Sequence, residues 1–90
     1  MPDGITVARA GDDTYRVTVE DGNGRTVHEV TVTAEDCARF APGSSAEALL
    51  SASFAFLLER EPKEAILSRF ALPTIARYFP EYPDVIRARL

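Results

Sequence analysis

Apolar and polar positions alternate through the first third of the chain. Ile5 and Val7, then Tyr15, Val17 and Val19, then Val30 and Val32 each fall on every second residue. A period of two is the signature of half-buried antiparallel strands. Turn-forming clusters, AGDD at 10–13 and EDGNG at 20–24, separate the three runs. In the second hairpin, pairing residues whose numbers sum to 45 sets Val17 opposite His28 and Tyr15 opposite Val30 on one face. The other face then gains Arg16 opposite Glu29 and Glu20 opposite Arg25, two cross-strand ion pairs of favourable sign. A slip of one residue would turn Val30 and Val32 out into water, so the register is strongly specified.

From Thr33 onward the spacing becomes helical. Thr33 with Asp36 makes a capping-box-like start for a short helix ending near Pro42-Gly43. Ser44 with Glu47 repeats the signal and opens the longest helix, 45–60. Its centre, FAFLL at 54–58, is apolar nearly all round, which predicts a helix sandwiched between the sheet and later helices. Pro62 starts a further helix, 62–70, with Ile66, Leu67 and Phe70 on one face. Pro73 restarts a short one carrying Ile75, Tyr78 and Phe79, and Pro83 opens a last one carrying Val85, Ile86 and Leu90. These short helices need packing to be stable. The fold expected is a single α+β domain over 1–90: a three-stranded antiparallel β-meander, 1–33, followed by several short α-helices packed on one face, 34–90.

Ninety residues bury only about 60–65% of the surface their unfolded chain exposes, so the core is thin. The 46% hydrophobic and 27% charged content argues against disorder. No signal-peptide pattern opens the chain and no apolar run approaches membrane-spanning length, which makes the cytoplasm the default location and excludes a membrane role. The lone Cys37 rules out an internal disulfide or a cysteine-built metal site. Charge is uneven. Residues 1–61 carry −6 and residues 62–90 carry +2, so an acidic first part opposes nucleic-acid binding while the last third need not.

The stretch REPKEAILSRFALPTIARYFPEYP, 60–83, resembles a family of small uncharacterised bacterial proteins with a similar Arg-Glu-Pro-Lys-Glu, Ile-Leu, Arg-Phe and Tyr-Phe-Pro-Glu-Tyr order. The resemblance covers the last third well and the strands by pattern only. It implies this kind of fold and no activity.

Catalytic chemistry finds little to build on. His28 falls on the inward face of the third strand, where a satisfied core histidine is expected, and no Ser or Cys is placed to pair with it as a nucleophile. Cys37 has no nearby Lys or second Cys to lower its pKa and reads as a small buried hydrophobe. Asp12-Asp13 and Glu35-Asp36 suit a turn and a helix start, and Gly11, Gly22 and Gly24 lie in hairpin turns without a phosphate-loop ending. No enzyme activity, cofactor, metal or small-molecule ligand is therefore expected. AILSRFALPTIARYF superficially suggests a helix-turn-helix, with Arg69, Arg77, Arg87 and Arg89 available for phosphates. Pro73 in the turn leaves too little room between Leu72 and Ile75 for a projecting recognition helix.

What remains is RYFPEYP, 77–83. Pro80 and Pro83 push Phe79 and Tyr82 toward extended geometry, making a stiff corner that holds three aromatic rings. The expected use is a clasp, with Phe79 and Ile75 packed on FAFLL and the tyrosine hydroxyls at the rim. Arg77, Tyr78 and Tyr82 are then the candidate partner-binding residues, since Tyr and Arg are typical of interface hot spots. The function expected is a non-enzymatic interaction module that binds a protein partner or a second copy through its C-terminal helical region. The alternative is a small nucleic-acid-binding regulator that uses the C-terminal arginines.

Overall fold

The computed structural model describes residues 4–90. Residues 1–3, which the expected meander included, lie outside the described residues. Three antiparallel strands open the fold: β1 (Gly4–Arg9), β2 (Thr14–Asp21) and β3 (Gly24–Thr31). The β2–β3 register is the expected one, with Tyr15 opposite Val30, Val17 opposite His28, Arg16 opposite Glu29 and Glu20 opposite Arg25. Val17, Val19 and Val30 are fully buried on one face, while Arg16, Glu20 and Arg25 face water on the other. The Glu20–Arg25 ion pair forms at 3.1 Å, but both partners are largely exposed and it adds little stability.

Four α-helices follow among the described residues: α1 (Ala34–Phe40), α2 (Ala46–Leu58), α3 (Thr74–Tyr78) and α4 (Tyr82–Arg89). Thr33 caps α1 with a reciprocal capping box to Asp36. The cap of α2 is Ser45, one residue later than expected; its hydroxyl accepts the Ala48 N–H, while the Ser44 N–H is taken up by the Ala41 carbonyl. Helix α2 is the centre of the core. Leu49, Leu50, Phe54 and Phe56 are all fully buried, and the helix packs between β1 on one side and α1 and α4 on the other.

The expected helix over 62–70 does not form. A single 3-10 turn, Lys63–Ala65, is followed by extended chain and a fourth strand, β4 (Arg69–Ala71), which pairs parallel to β3. The sheet is therefore four-stranded in the order β1-β2-β3-β4, not a three-stranded meander. Two physical terms decide this. An isolated nine-residue helix is marginal in water, whereas the outer edge of β3 offers backbone groups that need partners. The Glu29 N–H donates to the Ser68 carbonyl and the Leu72 N–H to the Thr31 carbonyl. The pairing also swings Phe70 inward against Phe54, with ring centroids 6.2 Å apart.

The turn before β4 is locked by Lys63, whose side chain is almost wholly buried. Its ammonium lies 2.8 Å from Asp21 at the tip of the β2–β3 hairpin and 2.6 Å from neighbouring Glu64. These hydrogen bonds, to Asp21 first and Glu64 second, raise the Lys63 pKa and lower those of both acids.

Candidate partner-binding surface

The segment that leaves α2 to reach β4 and the short helix α3 do not close on each other. Between them lies an open cleft of about 310 Å³. Its floor is Leu57, Ile66, Phe70 and Ile75, and its walls are Leu67, Tyr78 and Phe79, with Glu61 and Thr74 as polar positions at the side. The floor residues are buried members of the core, so the cleft is an opening into the core itself. Leu67, 48% exposed, and Tyr78, 68% exposed, stand at the mouth. Arg77 lies next to Tyr78 on α3, is exposed, and makes no ion pair among the described residues.

His28 holds the near wall in place. Its Nδ1 donates to the Leu67 carbonyl across 2.8 Å, its Nε2 bonds the Thr26 hydroxyl at 2.8 Å, and its ring packs on Phe54 at 5.3 Å. Both ring nitrogens are occupied, so the buried histidine acts as a strut between β3 and the cleft segment. Among the described residues, no Ser or Cys side chain hydrogen-bonds its ring. Cys37 is half-buried against the core; burial, then the charges of Asp36 and Glu47, push its thiol pKa up and disfavour the reactive thiolate.

The aromatic corner is built differently from the expected clasp. Tyr82 is not extended: it is the first residue of α4, its N–H donating to the Phe79 carbonyl, with Pro83 next in the first turn, where its missing N–H costs no helical bond. Its ring is fully buried between Phe40 (5.4 Å) and Phe56 (5.3 Å). Its hydroxyl meets Ser53 Oγ at 2.6 Å, and Ser53 in turn donates to the Leu49 carbonyl at 2.6 Å. Burial pushes the Tyr82 pKa up to about 12. Phe79, expected at the centre of the clasp, is only half-buried and stacks edge-on against Phe56 at 5.7 Å. The roles are exchanged: Tyr82 is the clasp and Phe79 lies nearer the rim. Of the three candidate residues, Arg77 and Tyr78 remain accessible and Tyr82 does not.

Much of the basic surface is engaged within the molecule. Arg87 hydrogen-bonds the Arg39 carbonyl at 2.9 Å, joining α4 to α1, and Arg89 reaches Glu59 at 2.6 Å, which lowers that carboxyl's pKa. Arg60 stacks over Phe56 at 3.7 Å and pairs with Glu81, and Arg69 pairs with Glu29 at 3.3 Å. No described helix is long and apolar enough to cross a membrane. No family model, curated protein or solved structure matches the chain.

Proposed function

We propose that this protein is a binding module, not an enzyme, and that the cleft beside α3 receives an apolar side chain of a partner protein with a carboxylate close to it. The observation that carries this reading is a core-connected apolar cleft whose mouth is held open by an exposed tyrosine and leucine. A cleft of this size suits one or two large side chains. Tyr78 supplies a rigid amphipathic ring at small entropic cost, and Arg77 supplies an unengaged cation for the acidic neighbour. A nucleic-acid reading would draw on Arg69, Arg77, Arg87 and Arg89. Three of those four already have partners within the chain, which favours the protein reading.

The test is site-specific photo-crosslinking in cells. A benzoylphenylalanine at position 78 should give a discrete protein adduct that disappears when Leu67→Glu charges the cleft mouth. The same probe at Thr18, in the central strand of the sheet, should give none. Adducts of equal pattern from both positions, or none at 78, would overturn the reading.

A further inference from the structure

The two edges of the sheet are unlike. β4 is three residues long, carries Arg69 and is followed two residues later by Pro73. Short length, charge and proline are the usual devices that stop an edge from recruiting another strand. β1 has only one of them, the charge of Arg9 at its far end, beyond the Gly4–Ala8 stretch. It runs six residues, GITVAR, pairs with β2 without a bulge, and contains neither Lys nor Pro.

The direction of its backbone groups follows from the neighbouring turn. The Ala10 N–H donates to the Thr14 carbonyl, in the same register as the rest of the β1–β2 pair. Ala8, Thr6 and Gly4 therefore also point their N–H and C=O groups at β2, while Ile5, Val7 and Arg9 point theirs outward. None of these outward groups has a hydrogen-bond partner among the described residues. The side chains agree. Val17 and Val19, opposite Val7 and Ile5, are fully buried, yet Ile5 and Val7 are only half-buried although they pack on the same core. The apolar row of the sheet thus continues past the point where the monomer covers it.

We infer that β1 is a self-association edge: two copies of this chain pair antiparallel through Gly4–Ala8 to give one continuous eight-stranded sheet. The register places Thr6 on the two-fold axis, facing its own copy. Ile5 then lies opposite Val7 of the second copy, and Val7 opposite its Ile5. The outward groups of these residues close four main-chain hydrogen bonds, and their four side chains complete one apolar row on the helix-covered face. On the open face Thr6 meets Thr6, a favourable cross-strand pair. Setting Val7 on the axis instead would place Ile5 against Arg9, an apolar residue against a cation. This inference does not rest on the cleft, which lies at the other side of the sheet beside β4.

Sedimentation equilibrium from ~1 μM to ~1 mM protein, the span of weak to moderate affinities, should show the mass rising from 9.9 kDa toward twice that value. Thr6→Lys is exposed and leaves the β1–β2 pair intact, but sets two ammonium groups face to face on the axis; it should stay monomeric with unchanged melting. Tyr78→Ala should dimerise like wild type. Thr6→Cys in a Cys37→Ser background should form an intermolecular disulfide on mild oxidation, because directly opposed Cα atoms in a non-hydrogen-bonded pair lie about 4.5 Å apart, within disulfide reach. Thr18→Cys, on the same face of β2, should not. A wild type that stays monomeric at ~1 mM, or a dimer that survives Thr6→Lys and is lost in Tyr78→Ala, overturns the proposal. A dimer broken by Thr6→Lys but not linked by Thr6→Cys would overturn the register.

Discussion

Tyr78 and Tyr82 are one helical turn apart in sequence and occupy opposite worlds. Tyr78 is 68% exposed at the mouth of an open cleft, and Tyr82 is sealed between two phenylalanines with its hydroxyl bonded to Ser53. The intervening Pro80 breaks the helix between them, so the 3.6-residue periodicity that would have set both rings on one face does not apply. Breaking the helix frees each tyrosine to face its own way: one completes a thin core, and the other is left for contact. An aromatic-rich segment should therefore be judged ring by ring, according to which element each ring joins.

The contrast is sharpest in stability. Tyr82→Ala should cost about 3–5 kcal/mol by emptying a site in the core, out of the roughly 5–13 kcal/mol expected for a domain of this length. Thermal melting should show a largely unfolded or strongly destabilised protein. Phe79→Ala, at a half-buried ring with one edge-on aromatic partner, should cost about 1–2 kcal/mol by the same melting measurement. A larger loss from Phe79 than from Tyr82 would reverse the assignment of the clasp.

Alkaline pH reads the same difference without removing the ring. Ordinary tyrosine ionises near pH 10, and Tyr82 is held to about 12 in the fold. A folded pKa above the unfolded one means the contribution is complete below pH 10 and is lost as pH rises from there through about 12. Denaturant midpoints should therefore fall more steeply above pH 10 in wild type than in Tyr82→Phe. That variant should lose about 1 kcal/mol at neutral pH by removing the Tyr82–Ser53 hydrogen bond, Ser53 keeping its bond to the Leu49 carbonyl. Parallel slopes would show that Tyr82 ionises without constraint. The smallest effect belongs to Tyr78→Ala, which should move stability by less than about 0.5 kcal/mol while abolishing pull-down of the partner that the position-78 crosslink identifies.

The meander was legible because strand periodicity and hairpin register are local: a shift of one residue in β2–β3 would have exposed Val30 and Val32. The caps of α1 and α2 were legible to within a residue for the same reason. β4 was not. Ile66, Leu67 and Phe70 fit a helical face, while the competing signal, Phe70 and Leu72 alternating with Arg69 and Ala71, spans too few positions to win by itself. Its partner, β3, lies some forty residues away, and that long-range pairing overrides the local pattern. The cleft was invisible for a related reason, since it exists only because the chain detours to make β4. Among the candidate residues, residue type alone points to Arg77 and Tyr78, which are exposed, while the two prolines flanking Tyr82 suggest a rim position for a ring that is buried. Ser53 as a buried hydroxyl partner left no pattern along the chain.

Lys63 is the only lysine in the sequence, and its burial turns amine chemistry into a clock for opening. An acylating reagent needs an accessible, uncharged amine, and the grip of Asp21 and Glu64 withholds both conditions. Each acyl group added at position 63 records a moment when the hairpin tip released the turn before β4. Acylation also removes the charge that held the two carboxylates together. A chain caught open once would close again only against their repulsion, so a passing fluctuation becomes a lasting mark.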